Sequence, residues 1–328
     1  MSGADVELAK ALVWAGAYAG PPLPDLFATD VEAHLFAPVG KVSGRAALWE
    51  AVFAPLARAF PDGAHRPYVF LGGTWQGAVW VAATGVIRGT QTQPLWGVPP
   101  GAGARCLRFG SFFRVAEGRV VETRMLVDLP GLAAQAGYAL LPPFAGDAAP
   151  APGPRHGSGL MRGPQDAGET AATLALVEDM LGGCNRLDGD DLGSMGMAAY
   201  WDPEMVWHGP WGIGSCHGFR AFQDHAQGPS VRSFPDRRGG FHQARIADGV
   251  AAAFTGWPSL QGRFTGAPFR GIAPTGGPIG QNIMDFYIRR GDLLYENWVM
   301  IDLVDFAAQC GVDLLEPLDA PPRERTTP

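Results

Sequence analysis

Residues 128–137 read DLPGLAAQAG, and residues 302–311 read DLVDFAAQCG, exactly 174 positions later. The same offset brings Phe60-Pro61-Asp62 onto Phe234-Pro235-Asp236. Further matches in this register include His34 with His208, Gly40 with Gly214, Pro55 with Pro229, Phe112 with Phe286, and Glu122 with Glu296. Chance matches do not keep one register for so long, so the chain is predicted to contain two copies of one domain.

The two copies are predicted to be separated by a linker. Residues 144–168 (FAGDAAPAPGPRHGSGLMRGPQDAG) are dominated by Pro, Gly and Ala and show no apolar periodicity. This composition predicts a first domain over residues 1–143, a linker over 144–168, a second domain over 169–318 and a flexible tail over 319–328. A chain of 328 residues is long enough for two such domains.

The bulk composition narrows the class of protein. A formal net charge of -7 disfavours nucleic acid and anionic membranes as partners. The four cysteines are far apart and form no CxxC pair, which fits reduced thiols in a cytoplasmic protein. The N-terminus lacks the basic region of a signal peptide, and no apolar run is long enough to span a membrane. We therefore expect a cytoplasmic protein that binds neither nucleic acid nor membrane.

The order of predicted elements in each copy is helices first and strands afterwards. In the second copy, ETAATLALVEDMLGG has helical spacing of apolar residues, and a helix from Phe219 is predicted to end at Gly228-Pro229. Extended segments follow up to Asp302, with a turn at Gly291-Asp292. This order predicts an α+β domain with helices packed on one face of a curved, mostly antiparallel sheet.

Several segments of the second copy resemble SnoaL-like polyketide cyclases, of the nuclear-transport-factor-2-like superfamily. They are YWDPEMVWHGPWGIGSCHG (200–218), Phe234-Pro235-Asp236, Gly256-Trp257-Pro258 and DFYIRRGDLLYENWVMID (285–302). The resemblance implies two tandem cone-shaped α+β barrels, related by a pseudo-twofold axis, each with a deep pocket between sheet and helices. It also implies ring closure by proton removal next to a carbonyl, without a cofactor. Because this fold hosts many reactions, it does not by itself identify one.

The resemblance implies an acidic base on the final strand, a few residues beyond Glu296. In this alignment Val299 occupies that position, and Val299 cannot act as a base. Asp285, on the preceding strand, falls near the position of the second pocket group of the family, which is often a histidine. The departure puts the cyclase assignment in question.

Strand alternation selects the remaining pocket candidates. Asp285 and Tyr287 share one face of their strand, and Asn297 and Val299 share one face of the next. If Asp285 points into the cone, Tyr287 lines it too, with Asn297 as a neighbour. Desolvation would then raise the pKa of the Asp285 carboxyl and suit it to act as a base. The alternative is a structural Asp that accepts hydrogen bonds from the backbone or from Trp.

Histidine supplies the candidate proton donors. His225 is predicted to lie on the helix that roofs the pocket, next to Gln227, and His208 is a second candidate, although its match to His34 allows a structural role. Trp257 is expected to shape the pocket. The spacing of the histidines and acids does not fit a metal site, so no metal and no cofactor are predicted.

At the candidate positions the first copy carries smaller or non-titrating residues. Ser111 matches Asp285, Phe113 matches Tyr287, Thr123 matches Asn297 and Ala83 matches Trp257. We therefore expect the first pocket to be degenerate. The second is expected to bind a small hydrophobic or polycyclic carbonyl compound for cyclisation, isomerisation, dehydration or hydrolysis. The alternatives are a binding protein without catalysis and a structural pseudo-dimer whose domains pair through their sheets, with further homodimerisation as an option.

Overall fold

The computed structural model describes residues 3–142, 146 and 151–319. The first domain begins with helix α1, which a π-helical turn extends. Its helices are α1 (Gly3–Val13), the π-helix Trp14–Tyr18, α2 (Arg45–Leu48), the π-helix Trp49–Phe53, α3 (Ala54–Ala59) and α4 (Leu129–Gln135), with a 3-10 turn at Pro24–Leu26. Its strands are β1 (Phe27–Leu35), β2 (Lys41–Ser43), β3 (Ala64–Trp75), β4 (Ala78–Thr90), β5 (Ala104–Ala116) and β6 (Arg119–Val127).

The second domain repeats this order after a short strand, β7 (Gly159–Leu160). Its helices are α5 (Ala167–Cys184), α6 (Phe219–Phe222), the π-helix Gln223–Gln227, α7 (Gly228–Ser233) and α8 (Leu303–Gln309), with 3-10 turns at Leu192–Met195, Met197–Ala199 and Glu316–Asp319. Its strands are β8 (Trp201–His208), β9 (Ser215–His217), β10 (Arg238–Gly239), β11 (His242–Asp248), β12 (Ala251–Arg263), β13 (Pro278–Arg290) and β14 (Leu293–Ile301). No described helix is long and apolar enough to cross a membrane.

Each domain is built on one mixed sheet that carries helices, which confirms the predicted α+β class. The first sheet has the order β2-β1-β6-β5-β4-β3-β7, and the second has β10-β12-β13-β14-β8-β9 with β11 paired to β12. The pairs β1–β6 and β8–β14 are parallel and correspond to each other in the two domains. Both sheets are open, which fits the predicted cone-shaped α+β fold with helices packed on a curved sheet.

The helix that begins at Phe219 does not end at Gly228-Pro229, as its sequence predicted. It passes through the π-helix Gln223–Gln227 into α7, where Pro229 occupies one of the first two positions. Proline is tolerated in a first helical turn because it lacks the N–H that such a position leaves unpaired. The same arrangement recurs in the first domain at Pro55. This continuous helix supplies Gln227 and Ser230 to the wall of the cavity described below.

The repeat register of 174 holds for the last two strands of each domain but fails in β12. Phe112 pairs with Arg124 and Phe286 with Trp298, at the expected offset. In contrast, Ser111 pairs with Ala83 whereas Asp285 pairs with Phe254, an offset of 171 on that strand. The register of β12 shifts between Gly256 and Leu260. The predicted match of Trp257 with Ala83 is therefore wrong, because the offset is already 171 at Phe254, before that shift.

The two sheets pack against each other through their outer faces. The rings of the equivalent residues Phe112 and Phe286 lie 5.6 Å apart across this contact. Asp128, which caps α4, accepts a hydrogen bond from Trp211 N at 3.0 Å, and Asp302, which caps α8, accepts one from Ala37 N at 2.8 Å. Since both donors and both acceptors are equivalent in the repeat, the contact is reciprocal. A pseudo-twofold axis therefore relates the domains.

The described part of the predicted linker lies against both sheets. Strand β7 pairs with β3 of the first domain, and Trp298 Nε1 donates to Pro152 O at 2.8 Å on the second. Arg155 N donates to both carboxylate oxygens of Glu296 at 3.1 and 3.0 Å. Residues 143–145 and 147–150 and the predicted tail over 320–328 lie outside the described residues. The proposed domain boundaries remain predictions.

Candidate functional site

The second domain encloses a cavity of about 200 Å³ between its sheet and its helices. Its walls are mostly aromatic and aliphatic, with contributions from Trp201, Trp207, Phe222, Phe254, Phe269, Met180, Met197, Leu260, Ile283 and Val299. The strands β8, β12, β13 and β14 form its floor, while α5 and the helix over 219–233 form its roof. An apolar enclosure of this kind suits a hydrophobic ligand.

Asp285 on β13 is the acidic side chain of this cavity. Its Oδ1 accepts hydrogen bonds from Tyr287 Oη and from Asn297 Nδ2, each at 3.2 Å. Burial raises the pKa of the Asp285 carboxyl to about 7, against the opposing effect of the bonds from Asn297 and Tyr287. Both bonds reach Oδ1, which leaves Oδ2 without a hydrogen-bond donor among the described residues.

The groups that hold Asp285 are fixed in turn. Asn297 Nδ2 also donates to Phe286 O at 3.1 Å, which orients the amide across the two strands. Burial, and then the neighbouring Asp285, raise the pKa of Tyr287 well above its usual value, so its hydroxyl stays protonated and donates. Asp285 lies directly opposite Val299 in the β13–β14 register, and Val299 lines the cavity as an apolar neighbour of the carboxylate.

His242 on β11 lines the cavity and is a residue that the sequence reasoning did not select. Its ring stacks on Phe254 with 4.0 Å between centroids, and Arg245 Nε donates to its Nδ1 at 3.1 Å. Since a guanidinium can only donate, Nδ1 is the acceptor and the neutral ring carries its hydrogen on Nε2. Burial, with Arg245, lowers the pKa of His242 to about 3. Its Nε2 is buried and has no partner among the described residues.

Two glutamines and an arginine complete the polar lining. Gln227 and Gln281 are buried, and neither Gln227 Oε1 nor Gln281 Nε2 has a hydrogen-bond partner among the described residues. Arg237, on the turn after α7, also lines the cavity. The repeat contained a signal for two of them, because Arg237 corresponds to Gly63 and Gln281 to Leu107.

Three predicted site residues lie outside the cavity lining. His208 is buried on the opposite face of β8, where its ring stacks on Trp298 and Nδ1 lies 3.0 Å from Ser215 Oγ. His225 is half-buried in the π-helix and does not line the cavity. Trp257 packs against His34 of the first domain, with ring centroids 6.3 Å apart. These three residues were expected to donate to the site or to shape it, and they do not line the cavity. The other predicted site residues do line it: Asp285, Tyr287, Asn297, Val299 and Gln227.

The corresponding cavity of the first domain is only about 50 Å³. Tyr18, from the π-helix Trp14–Tyr18, projects into it and lies 2.6 Å from Ser111, measured between the hydroxyl oxygens. Ser111 is the repeat equivalent of Asp285. The tyrosine ring stacks on Phe109 with centroids 5.9 Å apart. Within the described residues of both domains, no group of three His, Cys, Asp or Glu side chains is placed to hold a metal ion.

This architecture has relatives among known proteins. The family model described as SnoaL-like polyketide cyclase matches residues 17–136. This match makes the first domain similar to the SnoaL-like polyketide cyclases, and the second domain repeats its order of helices and strands. The match falls on the first domain, whereas the quoted motifs had placed the resemblance mainly in the second. A comparison with curated proteins gives no match.

The solved structures that are similar to this chain each cover less than half of it. AclR from Streptomyces galilaeus, a candidate hydroxylase, is 18% identical, with 43% of this chain and 82% of AclR covered and a TM-score of 0.35. IdmH from Streptomyces antibioticus, a candidate polyketide cyclase, is 20% identical, with 43% and 99% covered and a TM-score of 0.34. TsrD from Streptomyces laurentii is 20% identical, with 43% and 96% covered and a TM-score of 0.35.

Proposed function

We propose that the second domain removes a proton next to the carbonyl of a small apolar compound, with Asp285 as the base. The observation that carries this proposal is a buried carboxylate in a largely apolar cavity, with its pKa raised by burial to about 7. A base with a pKa near the working pH is both ionised to a useful fraction and strong enough to accept a proton from carbon. Removal of this proton is the first step of cofactor-free aldol cyclisation, of isomerisation and of dehydration.

The other polar groups suit the charge that develops when the proton leaves. Tyr287 and Asn297 hold Oδ1 of Asp285, which keeps the carboxylate oriented while Oδ2 accepts the proton. The enolate oxygen then needs donors, and His242 Nε2 and Gln281 Nε2 are buried donors of this cavity without partners among the described residues. A neutral imidazole N–H can donate to an oxyanion without giving up its proton.

The position of Asp285 accounts for an apolar residue where the family resemblance implies an acid. Val299 and Asp285 are direct cross-strand neighbours, and such neighbours have Cβ atoms about 5 Å apart. An acid on β13 therefore reaches almost the same part of the cavity as one on β14. This supports a base relocated to the adjacent strand.

A non-catalytic binding protein is the second candidate, favoured by the apolar lining and by Val299 at the expected acid position. The two candidates differ in whether Asp285 exchanges protons with a bound ketone. Binding alone requires no such exchange.

We would test the proposal by following hydrogen–deuterium exchange at the acidic carbon of 2-tetralone, a bicyclic ketone, by NMR in D₂O. The wild-type protein should accelerate exchange, and Asp285→Asn should reduce the rate by about 10²- to 10⁴-fold, the usual contribution of a general base. Glu296→Gln is the matched control, since Glu296 is a buried carboxylate on the other face of β14. It should leave the rate unchanged. Binding of the ketone without faster exchange would support the binding protein instead.

A further inference from the structure

Arg237 places a positive charge in the wall of an otherwise apolar cavity. The guanidinium is half-buried, and its two polar contacts are Nη1 with Ser230 Oγ at 2.9 Å and Nη2 with Met195 Sδ at 3.8 Å. A guanidinium carries five N–H donors, and a thioether is a weak acceptor. Most of the hydrogen-bonding capacity of Arg237 is therefore unused.

No carboxylate among the described residues forms an ion pair with Arg237. Arg105, Arg108 and Arg270 also lack such a partner, but each of them donates to a backbone carbonyl, which Arg237 does not. Burial lowers the pKa of Arg237 from its usual value, which reflects the cost of holding a charge away from water. A charge held near apolar walls without a counter-charge is unusual in a structural role. An anion that enters the cavity would supply the missing counter-charge.

Arg237 lies beside a solvent-exposed part of the cavity lining. The lining residue Asn185 is exposed, and it is hydrogen-bonded to Gly239, two residues beyond Arg237. Asp285 lies on β13 in the sheet floor, and neither of its side-chain hydrogen bonds involves Arg237. A ligand can therefore place one end at the guanidinium and another at the carboxylate.

We propose that the ligand of this cavity is a flat, apolar carbonyl compound that carries a carboxylate, which Arg237 binds while the reacting carbon faces Asp285. The planar fork of a guanidinium matches a carboxylate in two parallel hydrogen bonds. A single arginine balances one negative charge, so a monoanion fits better than a phosphate dianion. The aromatic walls formed by Trp201, Phe222 and Phe254 favour a flat ring system. The first domain has Gly63 at the repeat position of Arg237 and lacks this charge.

This inference rests on the same cavity as the proposed function, but its test measures binding and not turnover. The probes are 2-naphthoate and its methyl ester, which share a ring system and differ in charge. Isothermal titration at neutral pH should show that the wild type binds the acid at least tenfold more tightly than the ester. Arg237→Gln should abolish this preference while ester affinity stays within about twofold, and Arg237→Lys should retain part of it.

Arg238→Gln is the matched control, because Arg238 is exposed and adjacent but does not line the cavity. It should keep the preference for the acid, and thermal unfolding of each variant checks that it is folded. Equal affinities in the wild type, no binding of either probe, or a preference that survives in Arg237→Gln would each overturn the proposal. Asp285→Asn distinguishes carboxylate binding by Arg237 from proton removal by Asp285. This variant should still bind 2-naphthoate more tightly than its methyl ester, although it no longer accelerates deuterium exchange of 2-tetralone.

Discussion

At the residue scale, Asp285 should make the stability of the protein depend on pH. Its folded pKa is about 7 and its ordinary value is 3.8, so the folded state binds more protons between these values. Stability therefore falls as pH rises through this window and stays low above it. Asp285→Asn should be more stable than wild type by up to roughly 4 kcal/mol above pH 7, since each pKa unit corresponds to about 1.4 kcal/mol.

Urea unfolding of both proteins across this pH range measures the effect. The other buried acid with a pKa of about 7, Asp302, is present in both proteins, so the difference between them isolates Asp285. The stability gain of the variant should be small near pH 4 and largest above pH 7. A gain that does not grow with pH would show that the folded pKa of Asp285 is not raised.

Strand alternation was enough to group Asp285, Tyr287 and Asn297, because side chains on one face of paired strands must meet. The structure places these three within hydrogen-bond distance of one another at Asp285 Oδ1. The presence of a histidine in the sequence did not show whether its side chain lines the cavity. His208 alternates to the outer face of β8, and the sequence could not show that, because it does not reveal which face of a strand is covered by the other domain.

At the element scale, the register of strand β12 explains why the sequence placed Trp257 wrongly in the cavity. Leu260 pairs with Gln281 as Ile87 pairs with Leu107, an offset of 173, so the shift between Gly256 and Leu260 restores most of the register that was lost before Phe254. An offset read from matches on either side therefore looks constant. Irregularities of this type redirect side chains, and here Trp257 contacts His34 instead of the cavity.

The π-helix Trp14–Tyr18 is the element that fills the first cavity, so its removal should open a second binding site. Tyr18→Ala should destabilise the protein by about 3–5 kcal/mol through lost burial, and the vacated space should admit an apolar bicycle. Titration with 2-naphthol should then show one additional site per chain. Trp14→Ala is the control. Trp14 belongs to the same π-helix as Tyr18, but it packs on Phe70 of β3 and does not line the cavity. An unchanged stoichiometry in Tyr18→Ala would refute the idea that Tyr18 blocks the site.

At the scale of the whole molecule, duplication gives each sheet an apolar partner for its outer face. The reciprocal bonds of Asp128 and Asp302 join a helix cap of one domain to the loop of the other. The sequence showed that these acids recur in both copies. It could not show that each also crosses the domain interface, since a contact between distant segments leaves no periodic signal.

The ion pair between Lys10 and Asp248 joins the domains and should contribute strongly to their association. Lys10 is 0% exposed, and its Nζ lies 2.9 Å from Asp248 Oδ2, which also accepts from Gly72 N. Lys10→Met would leave the Asp248 carboxylate buried without a counter-charge in the second domain. Removal of one partner of a buried pair costs about 3–5 kcal/mol, whereas loss of an exposed pair costs at most about 1 kcal/mol.

Guanidinium unfolding of Lys10→Met should therefore show a loss of this size, and Lys10→Met/Asp248→Asn should recover part of it. Lys41→Met is the control, because Lys41 pairs with Glu32 at the surface, with side chains 59% and 44% exposed. If Lys10→Met costs no more than Lys41→Met, the pair does not hold the domains together. If the double variant is no more stable than Lys10→Met, the lost free energy of unfolding comes from the packing of the lysine stem. It then does not come from the unpaired Asp248 carboxylate.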